Sequence, residues 1–473
     1  MKLEVLHRLR NRQNENSLQS LVDAYETRVL SDGGIVESKS CLKASLKKLD
    51  DIGILNDISL LLIPSGSKIG KLHSIIPITG NGDIDFSRST TARFTTSNGL
   101  VESAAINEPR IDFTGGGCGK ALFEPQSTSL LAYSEDYLET TLEFATTSAA
   151  GVLAPYGSTN AWKVIEDATN NYHLCKIGNG SAVGFTNVST ASVFVKKGER
   201  TKVRVYLHHI TLNQTAYADY DLNNNTLIGT AGSNVIFDNT TIKVIGNGWV
   251  RISVSGHKDV SNYDFGVAIS PLNDAGDVSY LGDGTSGLYM WGGNNVVEKY
   301  PTSYIPTSGS AVTRTQDLSV TTGLSDQIGS DEGLFLFEAQ AFLNGGDGNR
   351  QIAISDGTND NYIYINFHNS ANRIETLAIK AGSVLAAKSA FSANQSNRNI
   401  IAIRYKTDQY DVWINGASIG ILTGMGAFFT ANQLNKLQFN SVLGTSHMKA
   451  KVNKVILSKT YPTDTQMAGI TTL

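Results

Sequence analysis

The sequence predicts a mainly β protein: two tandem β-sandwich (jelly-roll) domains preceded by a small N-terminal helical hairpin and an extended linker. Three observations carry that expectation. Segments that alternate apolar and polar residues recur from about residue 138 to the end, punctuated by Gly, Asn and Asp, the pattern of strands and tight turns. Helical spacing is confined to the first 75 residues. Between the two β-rich blocks, residues 280–317 show no helical period; Gly282, Asp283, Gly284 and Gly287 supply turns, and Pro301 and Pro306 make the exit extended. At 473 residues the chain has room for two β domains and a smaller N-terminal piece.

Residues 1–75 form the helical segment. Leu18, Leu21, Val22, Tyr25 and Val29 follow the i, i+3, i+4, i+7 rule, and Leu42, Leu46 and Leu49 follow it after Ser40. Gly33 and Gly34 separate two short helices and Gly53 lies beyond the second. A hairpin this small cannot bury both apolar stripes by itself. Two readings follow: attachment to a second copy or a larger assembly, or a cap on the chain's own β domain.

Residues 76–136 are rich in Thr, Ser, Gly and Asn and read as an extended linker. The run GGGCG at residues 115–119 has no Lys-Ser/Thr after it and no strand-to-helix context, so it is not a phosphate loop. Residues 137–317 form the first sandwich, with ASVFVKKGERTKVRVYL, NVIFDNTTIKVI, GWVRISVSG and DFGVAIS as strands. Residues 318–473 form the second, where GLFLFEAQAF, QIAIS, NYIYINFHN, RIETLAIK, NIIAIRYK, YDVWINGASIG and KVNKVILSK alternate more cleanly. Asn415-Gly416 is the favoured dipeptide of a type I′ turn and predicts a hairpin there.

The formal net charge of −4, with 39 basic and 43 acidic residues, offers no surplus of cations for nucleic acid or acidic lipid. No run has the length needed for membrane insertion, and the charged N-terminus has no apolar h-region, so the chain is expected to be made in the cytoplasm and not exported by a signal peptide. Cys41, Cys118 and Cys175 are odd in number and far apart; they are expected to be reduced, buried thiols.

Several of these segments resemble tailed-bacteriophage tail and fibre proteins. "GDGTSGLYMW" followed by "TSYIPTSGSAVTR" is similar to the closing segment of their jelly-roll module. In the linker, Phe86, Arg88, Asn98, Gly99, Pro109, Arg110, Asp112, Glu124, Pro125, Gln126 and residues 133–136 match a pattern common in those proteins. AWKVIED, SVFVKKG and GWVRISV resemble jelly-roll modules related to carbohydrate-binding domains, although Gly293, Asn294 and Asn295 replace the Ala-Gln pair usual after the closing Trp-Gly. YDVWINGASIG resembles a hairpin of concanavalin-A-like and laminin-G-like domains. The resemblance implies a virion structural protein at the virion surface, assembled in the host cytoplasm. It implies a homotrimer that binds other virion proteins through its N-terminal segment and a host surface glycan through its second sandwich. The alternatives are a head-fibre or tail-decoration protein that binds only virion partners, and a polysaccharide depolymerase.

Sugar-binding sheets need a flat aromatic for the apolar face of a pyranose and polar groups for its hydroxyls. Alternation places Ile363, Ile365 and Phe367 on one face and Tyr362, Tyr364 and Asn366 on the other; Asp411 and Trp413 likewise oppose Tyr410, Val412 and Ile414. Tyr362, Tyr364, Asn366, Arg404, Asp411 and Trp413 are therefore the candidate glycan-binding residues, on strands expected to be neighbours. The competing reading puts the same residues against another subunit or the N-terminal hairpin. Trp162, Trp249, Tyr289 and Trp291 are the aromatics of the first sandwich, and Trp249, inside a strand pattern, is expected in its core. No enzyme is expected: there is no Ser-His-Asp order, no paired glutamates in an E-x-D-x-E pattern, and His208 and His209 would point to opposite faces of a strand. No cofactor is expected either. The Asp/Asn turns NGGDGN (344–349) and SDGTNDN (355–361) carry oxygens of the kind Ca²⁺ takes, and turn chemistry explains them equally well.

Overall fold

The computed structural model describes residues 2–36, 39–68, 70–77, 79–136, 141–149, 151–158, 161–177, 182–183, 188–209, 214–258 and 263–472. The chain is mainly β, with two sandwiches and helices at its ends; against the expectation of two short helices confined to the first 75 residues, the first runs for 30 residues and a further helix, Asp464–Thr471, lies at the C-terminal end. The boundary expected at 136/137 falls at the edge of the described residues.

Helices Lys2–Ser31 and Lys39–Asp51 form the expected hairpin. Each ends in the same way: Gly33 and Gly53 take φ of +75°, and the amides of Gly34 and Ile54 donate back to the carbonyls of Val29 and Leu49. Glycine adopts this left-handed conformation without the Cβ clash other residues meet. The stripe Leu18, Val22, Tyr25, Val29, Leu42, Leu46 and Leu49 is buried, packed with Leu334, Leu336, Ile400, Ala402 and Ile456 of the second sandwich. Of the two readings, the cap on the chain's own β domain describes these contacts. That burial removes the argument for a trimer drawn from an uncovered stripe.

The first sandwich packs two sheets over Val193, Val205, Ile252, Val267 and Leu288. One sheet includes Lys202–His209 and Tyr263–Leu272; the other includes Ser189–Lys197, Trp249–His257 and, at its edge, Ile236–Val244. In the second sandwich one sheet runs Val320–Thr321, Lys436–Gln438, Arg350–Ser355, Tyr362–Phe367, Ile374–Lys380, Ser383–Ala390. The facing sheet runs Ala417–Thr423, Gln409–Ile414, Asn399–Lys406, Gly333–Ala341, Ala450–Ser458, Lys120–Phe123, Ile111–Asp112. Asn415 and Gly416, at φ +50° and +87°, join two of its strands as the expected two-residue hairpin.

The segment read as a linker does more than connect. Lys120–Phe123 and Ile58–Leu62 both pair with Ala450–Ser458, so the chain completes an edge of the second sandwich before it builds the first. Cys41 and Cys118, expected as reduced thiols, form a disulfide that ties the second helix to the loop after Phe113; their Cα atoms are 5.7 Å apart. The pairing crosses 77 residues, and no local pattern reveals a contact of that range. Cys175 lies outside the disulfide and is a buried thiol, as expected, 3.9 Å from the Met290 sulfur.

A buried ionic clasp closes the seam. Arg110 donates to Glu124 at 2.6 Å and pairs with Asp317; Arg88 reaches the other Asp317 oxygen at 3.1 Å. Ser303 donates its amide and hydroxyl to Glu124, each at 2.7 Å. Burial alone would raise the Glu124 carboxyl, but the Arg314 and Arg110 guanidiniums outweigh it and hold it well below the usual carboxylate range.

Candidate glycan-binding site

In Tyr362–Phe367 the two-residue period of a strand sorts the side chains. Ile363, Ile365 and Phe367 enter the core, while Tyr362 and Tyr364 stand half-buried on the outer face. The two tyrosine rings lie 6.1 Å apart between centroids, with planes 17° from parallel. Ala353 and Ser355 are their small partners on one neighbouring strand, which leaves the ring faces room. Asn366 is buried; it accepts from the Arg350 amide at 3.1 Å and donates to Glu375 at 3.2 Å, and Glu375 is paired with Arg373. Burial, with Glu375 adding, pushes the Tyr364 phenol up to about 12, so it stays protonated and able to donate at neutral pH.

Arg404, Asp411 and Trp413 do not join this platform. They belong to Asn399–Lys406 and Gln409–Ile414, in the opposite sheet. Both strand runs obey the same alternation. The inner faces of the two sheets meet in one core, so their outer faces diverge and the six residues split into two groups of three.

The second group is covered. Asp411, 2% exposed, accepts from Arg404 Nε at 2.9 Å and Nη2 at 2.7 Å, from Trp413 Nε1 at 2.7 Å and from Ser418 Oγ at 2.9 Å. Arg404, 5% exposed, also donates to the Pro462 carbonyl at 2.6 Å and to Asp464. Asp464 opens the C-terminal helix Asp464–Thr471, which starts from a Thr463/Gln466 capping box. Met467 and Ile470 of that helix, and Trp413, pack into the cluster formed with the N-terminal hairpin. These three residues hold the helices to the sheet: the competing reading named the N-terminal hairpin, whose cluster Trp413 joins, but not the C-terminal helix that Arg404 grips.

The remaining candidates are accounted for. Trp249 is fully buried and donates Nε1 to the Leu153 carbonyl at 2.9 Å; Trp291 is buried beside it, while Trp162 and Tyr289 are half-buried. His208 is buried, and the side chain of His209 lies outside the described residues. In the Asp/Asn turns, Asp356 accepts from the amide and hydroxyl of Thr358 and from Asn361, Asn344 accepts from the Asn372 amide, and Asp347 pairs with Lys449. Residue types alone did not reveal the clasp. Arg88, Arg110 and Glu124 stood out as matches to the phage pattern, but Asp317 lies about two hundred residues away and nothing local couples it to them.

No protein-family model and no curated protein matches the chain. Among solved structures it is similar to the Ruminococcus gnavus IT-sialidase CBM40, at 11% identity over 30% of this chain and 83% of that one, with a TM-score of 0.27. It is similar also to a point variant of human galectin-16 (9%, 28% and 90%, TM-score 0.22) and to CG-16, a homodimeric agglutinin from chicken liver (13%, 29% and 98%, TM-score 0.20). Each match covers under a third of this chain, so the functional reading rests on the residues themselves.

Proposed function

We propose that this chain is a bacteriophage virion structural protein, a non-enzymatic fibre or spike adhesin that holds a host surface glycan on the outer face carrying Tyr362 and Tyr364. The observation behind the glycan site is the half-exposed tyrosine pair with near-parallel rings, which offers apolar ring surface to a pyranose. Glu375 and Arg373, half-buried beside it, supply acceptors and donors for hydroxyls, while the buried Asn366 holds Glu375 from below. Virion membership and trimeric assembly are supported by the resemblance of residues 86–136 and 280–317 to phage tail proteins. A glycan array probed with the full chain tests the reading. It expects a restricted set of host-type glycans bound and released intact; sugar cleavage would make the protein an enzyme, and incorporation into particles without glycan binding would leave a purely structural role.

A further inference from the structure

A cleft of about 1000 Å³ opens between the two sandwiches, apart from both the tyrosine face and the helix-covered face. One wall is the edge strand Ile236–Val244, which contributes Asn239 and Lys243. The other is the second sandwich, with Gln340, Phe342 and Lys451. The loop carrying Gly115, Gly116 and Gly117 forms its rim, and the disulfide at Cys118 anchors that loop to the N-terminal helices. A recess of this size accepts a short oligosaccharide or a molecule of similar bulk.

Its charge is unusual. Lys120, Lys243 and Lys451 all border it, in a protein whose net charge is negative. Lys451 is matched by Asp112 at 2.7 Å. Among the described residues, Lys120 and Lys243 are half-buried and their ammonium groups make neither a hydrogen bond nor an ion pair. Burial, reinforced by Lys451 and Arg251, lowers the Lys243 ammonium to about 8; burial and Lys451 lower that of Lys120 as well. Two cations are thus held close to a third, and Asp112, which favours the charged form of both, is already paired with Lys451, so a bound anion relieves the arrangement. Tyr300 and Phe342 add a stacked aromatic pair, with centroids 4.9 Å apart and planes 27° from parallel.

We propose that this cleft is a second binding site, for a carboxylate-bearing oligosaccharide whose acid groups are received by Lys120 and Lys243 and whose rings run along Phe342, which the buried Tyr300 backs. Ammonium groups are point charges that suit single carboxylates, and the two guanidiniums at the deep end are engaged elsewhere, Arg93 over the Tyr156 ring and Arg251 with the Thr302 carbonyl and the Ser192 hydroxyl. Asp112 and Glu124 lie at the deep end, where they repel a doubly charged group more than a singly charged one. The aromatic wall and the amides of Asn239 and Gln340 suit a hydroxylated ring.

Isothermal titration of the full chain with a hexuronate tetrasaccharide, its methyl-esterified analogue and inorganic phosphate tests the site. The acidic sugar is expected to bind saturably, about tenfold or more tighter than the ester, and Lys243→Gln and Lys120→Gln are each expected to weaken it by about tenfold. Both variants remove only an unpaired charge, so their melting temperatures should match that of the parent, and either one suffices if the other fails to fold. No binding, equal affinity for the ester, or phosphate binding as tightly as the sugar would overturn the assignment. A loss on Tyr364→Ala but not on Lys243→Gln would move the ligand to the open tyrosine face, which separates the failure of this site from the failure of that one.

Discussion

The two outer faces of the second sandwich are written in the same residue types and have opposite fates. On one, Tyr362 and Tyr364 stand half-buried and, among the described residues, no helix lies over them. On the other, Arg404, Asp411 and Trp413 are roofed by helices from both ends of the chain. The difference lies in how completely the polar atoms are used. Asp411 receives four hydrogen bonds from three neighbours, the density expected where a charge is taken out of water. An aromatic with charged companions is therefore no sign of a ligand until the cover on its face is known.

The largest effect expected from breaking the covered face comes from Asp411→Asn. It leaves the buried Arg404 short of its main counter-charge, and chemical denaturation should show a loss of about 3–5 kcal/mol. Glycan binding by the molecules still folded should not change. Cys41→Ser removes the tether between the helical cover and the rim of the interdomain cleft. By closing a loop of 77 residues, the cross-link is expected to contribute about 2–4 kcal/mol, read as a lower denaturation midpoint that reduction of the parent protein reproduces. Trp413→Ala opens a gap under the helices; because Trp413 is half-buried, about 2–3 kcal/mol is expected, less than for a fully enclosed tryptophan.

The smallest effect sharpens the other side. Burial raises the Tyr364 phenol to about 12, so its proton is retained across the working range and lost only as pH climbs toward that value. Sugar binding through this group should stay level between pH 7 and about pH 10. A fall near pH 10 would mean that the phenol is as open to water as a free tyrosine.

Local chemistry made much of this legible. The alternation in NYIYINF separated Ile363, Ile365 and Phe367 from Tyr362 and Tyr364 but misjudged Asn366, which is buried by its bonds to Arg350 and Glu375; Asn415-Gly416 announced its hairpin, and the leucine spacing found both helices together with the glycines that end them. What stayed hidden depends on partners remote in sequence. Whether Tyr364 and Trp413 share a sheet is decided by the crossing of the chain between Ser383–Ala390 and Asn399–Lys406, which no period encodes. Ile58–Leu62 pairs with a strand some four hundred residues later, and Asp317 completes a clasp begun at Arg88 and Arg110. Lys243 is an ordinary outward lysine of an edge strand until the second sandwich closes over it.

The most direct test is a paired measurement on Tyr364→Ala: affinity for the glycan selected by the array, and melting temperature, each beside the parent. Losing one aromatic ring of the site should weaken binding by about 1–3 kcal/mol, roughly a factor of five to a hundred and fifty, with the melting temperature nearly unchanged. Undiminished affinity in a folded Tyr364→Ala protein would contradict the account and remove the open face as the glycan site.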